Sequence, residues 1–191
     1  MLMTETMSIL YELAEGQAGY FSAAQAVAAG VSRRALSGRV RSGDLERIRY
    51  GIYRLRRFPG HRHEDVVAAC LWAGPDSAAS HETALVVHGV SDAMPANIHV
   101  TVPRAFRGRQ PGVVVHHAPL ESTEREIHDS VPVTMLSRTL ADVAAASDPT
   151  VVRQAVTEAI ERGRLTRRQV RKLAREQPAL APVIVDVLAG E

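Results

Sequence analysis

Cysteine is all but missing from this 191-residue chain: Cys70 stands alone, which excludes an internal disulfide framework. Aromatic residues are scarce, with one Trp, four Tyr and three Phe. The 46% hydrophobic content is nevertheless ordinary for a globular core. Lysine is rarer still, Lys172 being the only one among 23 basic residues. Arginine suits phosphate recognition, but the Ala/Arg/Val-rich composition matches the coding bias of a GC-rich bacterial genome, so the ratio carries no weight. No apolar run is long enough to span a membrane, and no secretory hydrophobic region is present. The expected compartment is the cytoplasm, with no membrane partner. Walker A, Rossmann and protein-kinase signatures are all missing. No cofactor is expected, and no catalytic residue is assigned.

What is present is an uneven charge. The formal net charge is only +2, yet residues 33–57 hold nine arginines against Asp44 and Glu46. Such a concentration is the electrostatic footprint of a nucleic-acid-binding module. Its setting is GYFSAAQAVAAGVSRRALSGRVRSGDLERIRYGIYRL, residues 19–55, which reads as a winged helix-turn-helix. Ser22 is placed to cap an Ala-rich helix that Gly30 stops, and Ser32 to cap a second helix over 33–42. At 100° per residue, Leu36 and Val40 form the inner edge of that helix, while Arg34, Ser37, Gly38 and Arg41 point outward. Two β-prone runs follow, 45–49 and 52–55, with Tyr50-Gly51 as their turn.

In such a module the second helix enters the major groove, where arginine can make bidentate contacts with guanine. Arg34, Ser37 and Arg41 are therefore candidate base readers. Arg33, Arg39, Arg47, Arg49 and Arg54 are candidate phosphate clamps, which fix register without reading sequence. A helix-turn-helix whose arginines serve protein contacts is the competing reading.

Pro59-Gly60 marks a boundary, dividing a DNA-binding domain, 1–58, from an α+β domain, 59–191. Before the boundary a leading helix is expected over 4–16. After it come an apolar helix over 63–73 and another capped by Ser80 and running to His88. Strands are expected at 97–103 and 113–117, with a basic loop (Arg104, Arg107, Arg109) between them. A short extended piece around Val131–Val133 leads into a helix at 135–146. Asp148-Pro149 opens the next helix, Thr166 caps a basic one, and Leu180 to Leu188 line the last. The fold class is α+β: a winged helix-turn-helix, then a mixed domain with a small sheet and a helical C-terminal half.

Eight histidines invite a metal reading, but none sits at zinc-finger or His-Glu-x-x-His spacing. They are read as surface or hydrogen-bonded side chains, and no metal ligand is assigned. His116 and His117 should point to opposite faces of their strand. Ser80-His81-Glu82 resembles a triad only on paper, because consecutive helical residues diverge by 100°. In the helix over 166–176, Arg168, Arg171, Lys172 and Arg175 should be exposed. They are candidate partner-binding residues, against the alternatives of a solvated face or contacts to flanking DNA phosphates.

In order along the chain, Gly19–Ala26, Val31–Leu36, Leu45–Leu55, Ser80–Leu85, Ile98–Pro103, Val131–Thr134 and Arg138–Asp142 resemble the AbiEi family of antitoxins. The resemblance implies a winged helix that binds operator DNA to repress its own operon. It also implies a C-terminal domain that counteracts a cognate nucleotidyltransferase toxin. Similar segments head longer proteins that finish in a Vsr-like endonuclease domain. The clustered acids and Asp…Glu-x-Lys pattern that such a metal-dependent nuclease needs do not follow Asp142 here. Two alternatives to the bifunctional antitoxin remain: a stand-alone winged-helix regulator, and an enzyme that neutralises the toxin by covalent modification such as phosphorylation. No heptad or apolar stripe indicates an oligomeric state.

Overall fold

Ser22 does what its position predicts. Its hydroxyl accepts from Gln25 N at 3.1 Å, Gln25 Oε1 accepts from Ser22 N at 2.8 Å, and this reciprocal box starts helix α2, Ala23–Ala28. Ser32 accepts from Ala35 N at 3.2 Å to start α3, Arg33–Ser42, and Gly43 ends it in the left-handed conformation at φ 82°. Around these lie α1 (Leu2–Glu15), β1 (Tyr20–Ser22), β2 (Leu45–Arg49), β3 (Ile52–Leu55) and α4 (Glu64–Ala73). This computed structural model describes residues 2–92 and 94–189, with side chains from residue 5 onward.

The chain divides into two compact units, one running to Ser77 and including 129–131, the other formed by 78–128 and the residues from 132 onward. Pro59-Gly60 thus falls inside the first unit, which takes in α4.

In the first unit the strands order β1-β3-β2, all antiparallel. Phe21, Leu45 and Leu55 join Leu10, Ala14, Ala26, Val31 and Leu36 of the helical side in one apolar cluster. Phe21 is fully buried and stacks on Tyr53, ring centroids 5.8 Å apart. The other face of the sheet meets α4, which contacts β1 and β3. Gly19, at φ 85°, must remain glycine: a Cβ there would lie 2.6 Å from Phe58.

The second unit holds a five-stranded sheet among the described residues, ordered β6-β5-β4-β8-β7. Its strands are β4 (Ala78–Ala79), β5 (Ile98–Val102), β6 (Val113–His117), β7 (Arg125–His128) and β8 (Val131–Thr134). The β5–β6 and β4–β8 pairs are parallel, whereas β4–β5 is antiparallel. Its helices are α5 (His81–Val87), α6 (Leu136–Ala146), α7 (Pro149–Glu161), α8 (Arg167–Glu176) and α9 (Ala181–Ala189). Leu85, Leu140, Val156, Val170 and Ile184, one from each, meet in a single core. Asp148 caps α7 with Pro149 in its first turn, and Thr166 forms a capping box with Gln169 at α8.

The α+β class and a winged helix at the N-terminus are therefore correct. Strands β4 and β7 were not foreseen. The expected cap at Ser80 is not made: Ser80 holds the N-cap position of α5, but its hydroxyl meets His81 Nδ1 at 3.0 Å instead. His81 itself adopts φ 51°, so the chain turns sharply where a regular first helical turn was expected.

His88, at the end of α5, should contribute to a loss of stability of the second unit on acidification. Its Nε2 lies 2.8 Å from Thr134 O, and a carbonyl only accepts, so Nε2 carries the proton. Burial pushes its pKa down; Thr134 O and Glu126 pull it back, and His128 and Arg164 oppose them. The unfolded chain takes up a proton near pH 6.5, whereas the folded chain does so only at lower pH. This stability is complete above that pH and is lost on acidification, at no more than about 1.4 kcal/mol per pH unit. Urea midpoints should fall from pH 7.5 to 5.5, and His88→Gln should flatten the decline; an unchanged slope in that variant refutes the assignment.

Candidate nucleic-acid interface

Helix α3 turns Leu36 fully into the core and leaves Arg33, Arg34, Ser37 and Arg41 exposed. That is the one-sided pattern a groove-reading helix needs. Ser37 Oγ donates to Arg33 O at 3.1 Å, which leaves its lone pairs free to accept. Gly38 carries no side chain between these groups, and a Cβ added there would meet nothing within 4 Å. A phosphate backbone can therefore approach α3 closely.

Arg39 is engaged elsewhere. Its Nη1 donates to Asp44 Oδ2 at 3.0 Å, and Ser42 Oγ donates to the same oxygen at 2.8 Å. Those two bonds, Ser42 first, hold the Asp44 carboxyl below the usual carboxylate range. Arg39 thus braces the corner between α3 and β2.

The wing divides its arginines by face. Arg47 pairs with Tyr53 but Arg49 pairs with Ile52, so an irregularity at Ile48 puts the two arginines on opposite faces. Arg47 is exposed and lies over the Tyr50 ring, 5.2 Å from its centroid, at the exposed wing tip. Arg49 is half-buried on the α4 side, where burial lowers its pKa and Asp65 and Tyr20 raise it. Among the described residues its Nη1 finds no hydrogen-bond partner. Arg54 shares that face. Its Nη2 donates to Phe58 O at 3.0 Å, its Nε lies 3.7 Å from Glu64, and its guanidinium covers Tyr20. Burial and the neighbouring Glu64 push the Tyr20 phenol up to about 12.

Five of the eight expected residues therefore present themselves together on α3 and the wing tip: Arg33, Arg34, Ser37, Arg41 and Arg47. Arg39, Arg49 and Arg54 sit in internal contacts. A two-residue alternation could not separate Arg47 from Arg49, because the irregularity between them leaves no mark in the sequence. Arg56 and Arg57, just past β3, are exposed and were not singled out.

On α8, Arg168, Arg171, Lys172 and Arg175 are all exposed and line a shallow groove of about 480 Å³ with Gln169. Val170 and Leu173 face the core. Arg107 and Arg109 of the basic loop line a wider depression with Val113, Val115 and His117.

Among the described residues, no helix is long and apolar enough to cross a membrane. Residues 8–56, about a quarter of the chain, match the model of a family described as "Transcriptional regulator, AbiEi antitoxin". No curated protein matches the sequence. The fold is similar to that of the RV2827C protein from Mycobacterium tuberculosis, known from its crystal structure. That match has a TM-score of 0.55 and 12% identity, covering 96% of this chain and 77% of that one. At such identity the likeness concerns the fold alone. Residues 8–56 are thus similar to the AbiEi antitoxin family of transcriptional regulators.

Proposed function

We propose that the protein is a cytoplasmic antitoxin that represses its own operon and counteracts a nucleotidyltransferase toxin encoded beside it. The observation that carries the DNA half is the shared exposure of Arg33, Arg34, Ser37, Arg41 and Arg47 on one helix and the adjoining wing tip. Arg34, Ser37 and Arg41 read base edges in the major groove; Arg33 and Arg47 hold phosphates. The remainder of the chain engages the toxin through the exposed cations of α8. Their uniform sign suits an acidic partner surface and steers its approach.

Two measurements test this. Growth rescue and co-purification on co-expression with the adjacent gene product are expected; failure of both removes the toxin half. Operator affinity should fall steeply with salt. Arg47→Ala should weaken every DNA sequence alike and reduce the log K against log salt slope by about 0.9. An unchanged slope removes Arg47 from the phosphate contacts.

A further inference from the structure

Three histidines distant in sequence meet in the second unit. His81 begins α5, His99 lies on β5 and His116 on β6. One ring nitrogen from each falls within 4.8 Å of the other two. His99 Nδ1 and His116 Nε2 are 3.0 Å apart, and Glu82 Oε2 lies 3.6 Å from His99 Nδ1. We propose that His81, His99 and His116, with the Glu82 carboxylate beside them, bind a divalent transition-metal ion of the zinc class.

Distances support the assignment. Zn–N bonds of roughly 2.0–2.1 Å in a tetrahedral site place neighbouring ligand atoms about 3.4 Å apart. The 3.0 and 3.6 Å separations bracket that value. Imidazoles with one carboxylate and no thiolate form a donor set suited to Zn²⁺, Ni²⁺ or Fe²⁺ rather than Mg²⁺ or Ca²⁺. His81 and His116 rings stack at 3.7 Å, so His81 must tilt to aim its edge at the ion. The torsion that does this is a soft one.

The surroundings fit a ligand set as well. His81 Nδ1 meets Ser80 Oγ at 3.0 Å, a contact that the tilt of the ring loosens. Glu82 Oε1 accepts from Ser147 Oγ, which leaves Oε2 facing His99. Ligating groups are usually fixed in this way through their second heteroatom. His81 holds a positive φ that few non-glycine residues adopt, a strain found where a side chain must be aimed. Thr101 pairs in register with His116 and stands two residues from His99, on the same face of the sheet. Its hydroxyl is buried and, among the described residues, has no hydrogen-bond partner. It is placed to bond a ligand or water on the ion.

Bound there, the ion ties the start of α5 to β5 and β6.

A second set, His88, Glu126 and His128, makes the natural control. The full-length protein, stripped with EDTA, would be titrated calorimetrically with Zn²⁺ and by visible absorption with Co²⁺. One ion per chain is expected, with the d–d bands of four-coordinate Co²⁺. His99→Gln/His116→Gln should weaken binding by more than about 100-fold, and Ser147→Ala by about 10- to 100-fold. His88→Gln/His128→Gln should leave it unchanged. In the unmutated chain Zn²⁺ should shift the ring signals of His81, His99 and His116 in NMR spectra, a readout independent of how any variant folds. Absence of micromolar binding overturns the proposal, as does binding that survives the His99/His116 change or moves the His88 and His128 signals instead.

Discussion

Phe21→Ala is expected to cost about 3–5 kcal/mol in the stability of the winged-helix unit, the largest effect of any substitution considered. Phe21 is fully buried, stacks on Tyr53 and joins β1 to Leu10, Leu36 and Leu55. With few aromatic residues in the chain, no other ring of that cluster is fully buried, and the aliphatic neighbours cannot collapse around the space left behind. Domains of this size are stable by only about 5–15 kcal/mol, so the loss is a large share. Leu36 seats α3 on the same cluster, so loosening it also frees the helix that carries Arg34 and Arg41. Operator affinity should fall with the denaturation midpoint. Tyr53→Phe keeps the stacked ring and should change the midpoint little. A Phe21→Ala protein with a near-normal urea midpoint would place the core elsewhere.

How much of this was legible depends on the range of the interaction. Caps, turns and helix faces of residues 19–55 are local, and Ser22, Ser32 and Leu36 behave as their sequence positions imply. The same holds for Asp148-Pro149 and Thr166. Strand β4 has only two residues and β7 reads Arg-Glu-Ile-His, so neither offers the apolar alternation that announces a strand. Pairing with neighbours defines them, and pairing is not local. The histidines illustrate the limit most clearly. His116 and His117 do separate, one joining His99 and the other lining the opposite depression. That His99 and His116 meet follows from the β5–β6 register, and that His81 joins them follows from one left-handed backbone angle. The objection to Ser80-His81-Glu82 assumed regular helix at His81, where the chain departs from it. The internal contacts of Arg49 and Arg54 were illegible for a related reason: nothing in the wing sequence says that α4 packs against β1 and β3.

Arg34→Ala and Arg41→Ala should each cost about 1–3 kcal/mol of operator affinity, equivalent to roughly five- to 150-fold, and relax preference at one base position. Both side chains stand exposed on α3, a helix anchored by Leu36 and braced at its end by Arg39 and Asp44. The anchoring matters, because a base contact discriminates only when the helix cannot shift to accommodate the wrong base. Arg39→Ala should therefore reduce discrimination without touching DNA, by releasing the α3–β2 corner, while leaving the salt slope nearly unchanged. Arg33→Ala should do the opposite, lowering the slope by about 0.9 with preference intact. Binding to a library of single-base operator variants at two salt concentrations separates the four outcomes. If Arg34→Ala and Arg41→Ala weaken all sequences equally and both reduce the slope, the two arginines hold phosphates. In that case α3 lies along the backbone rather than in the groove.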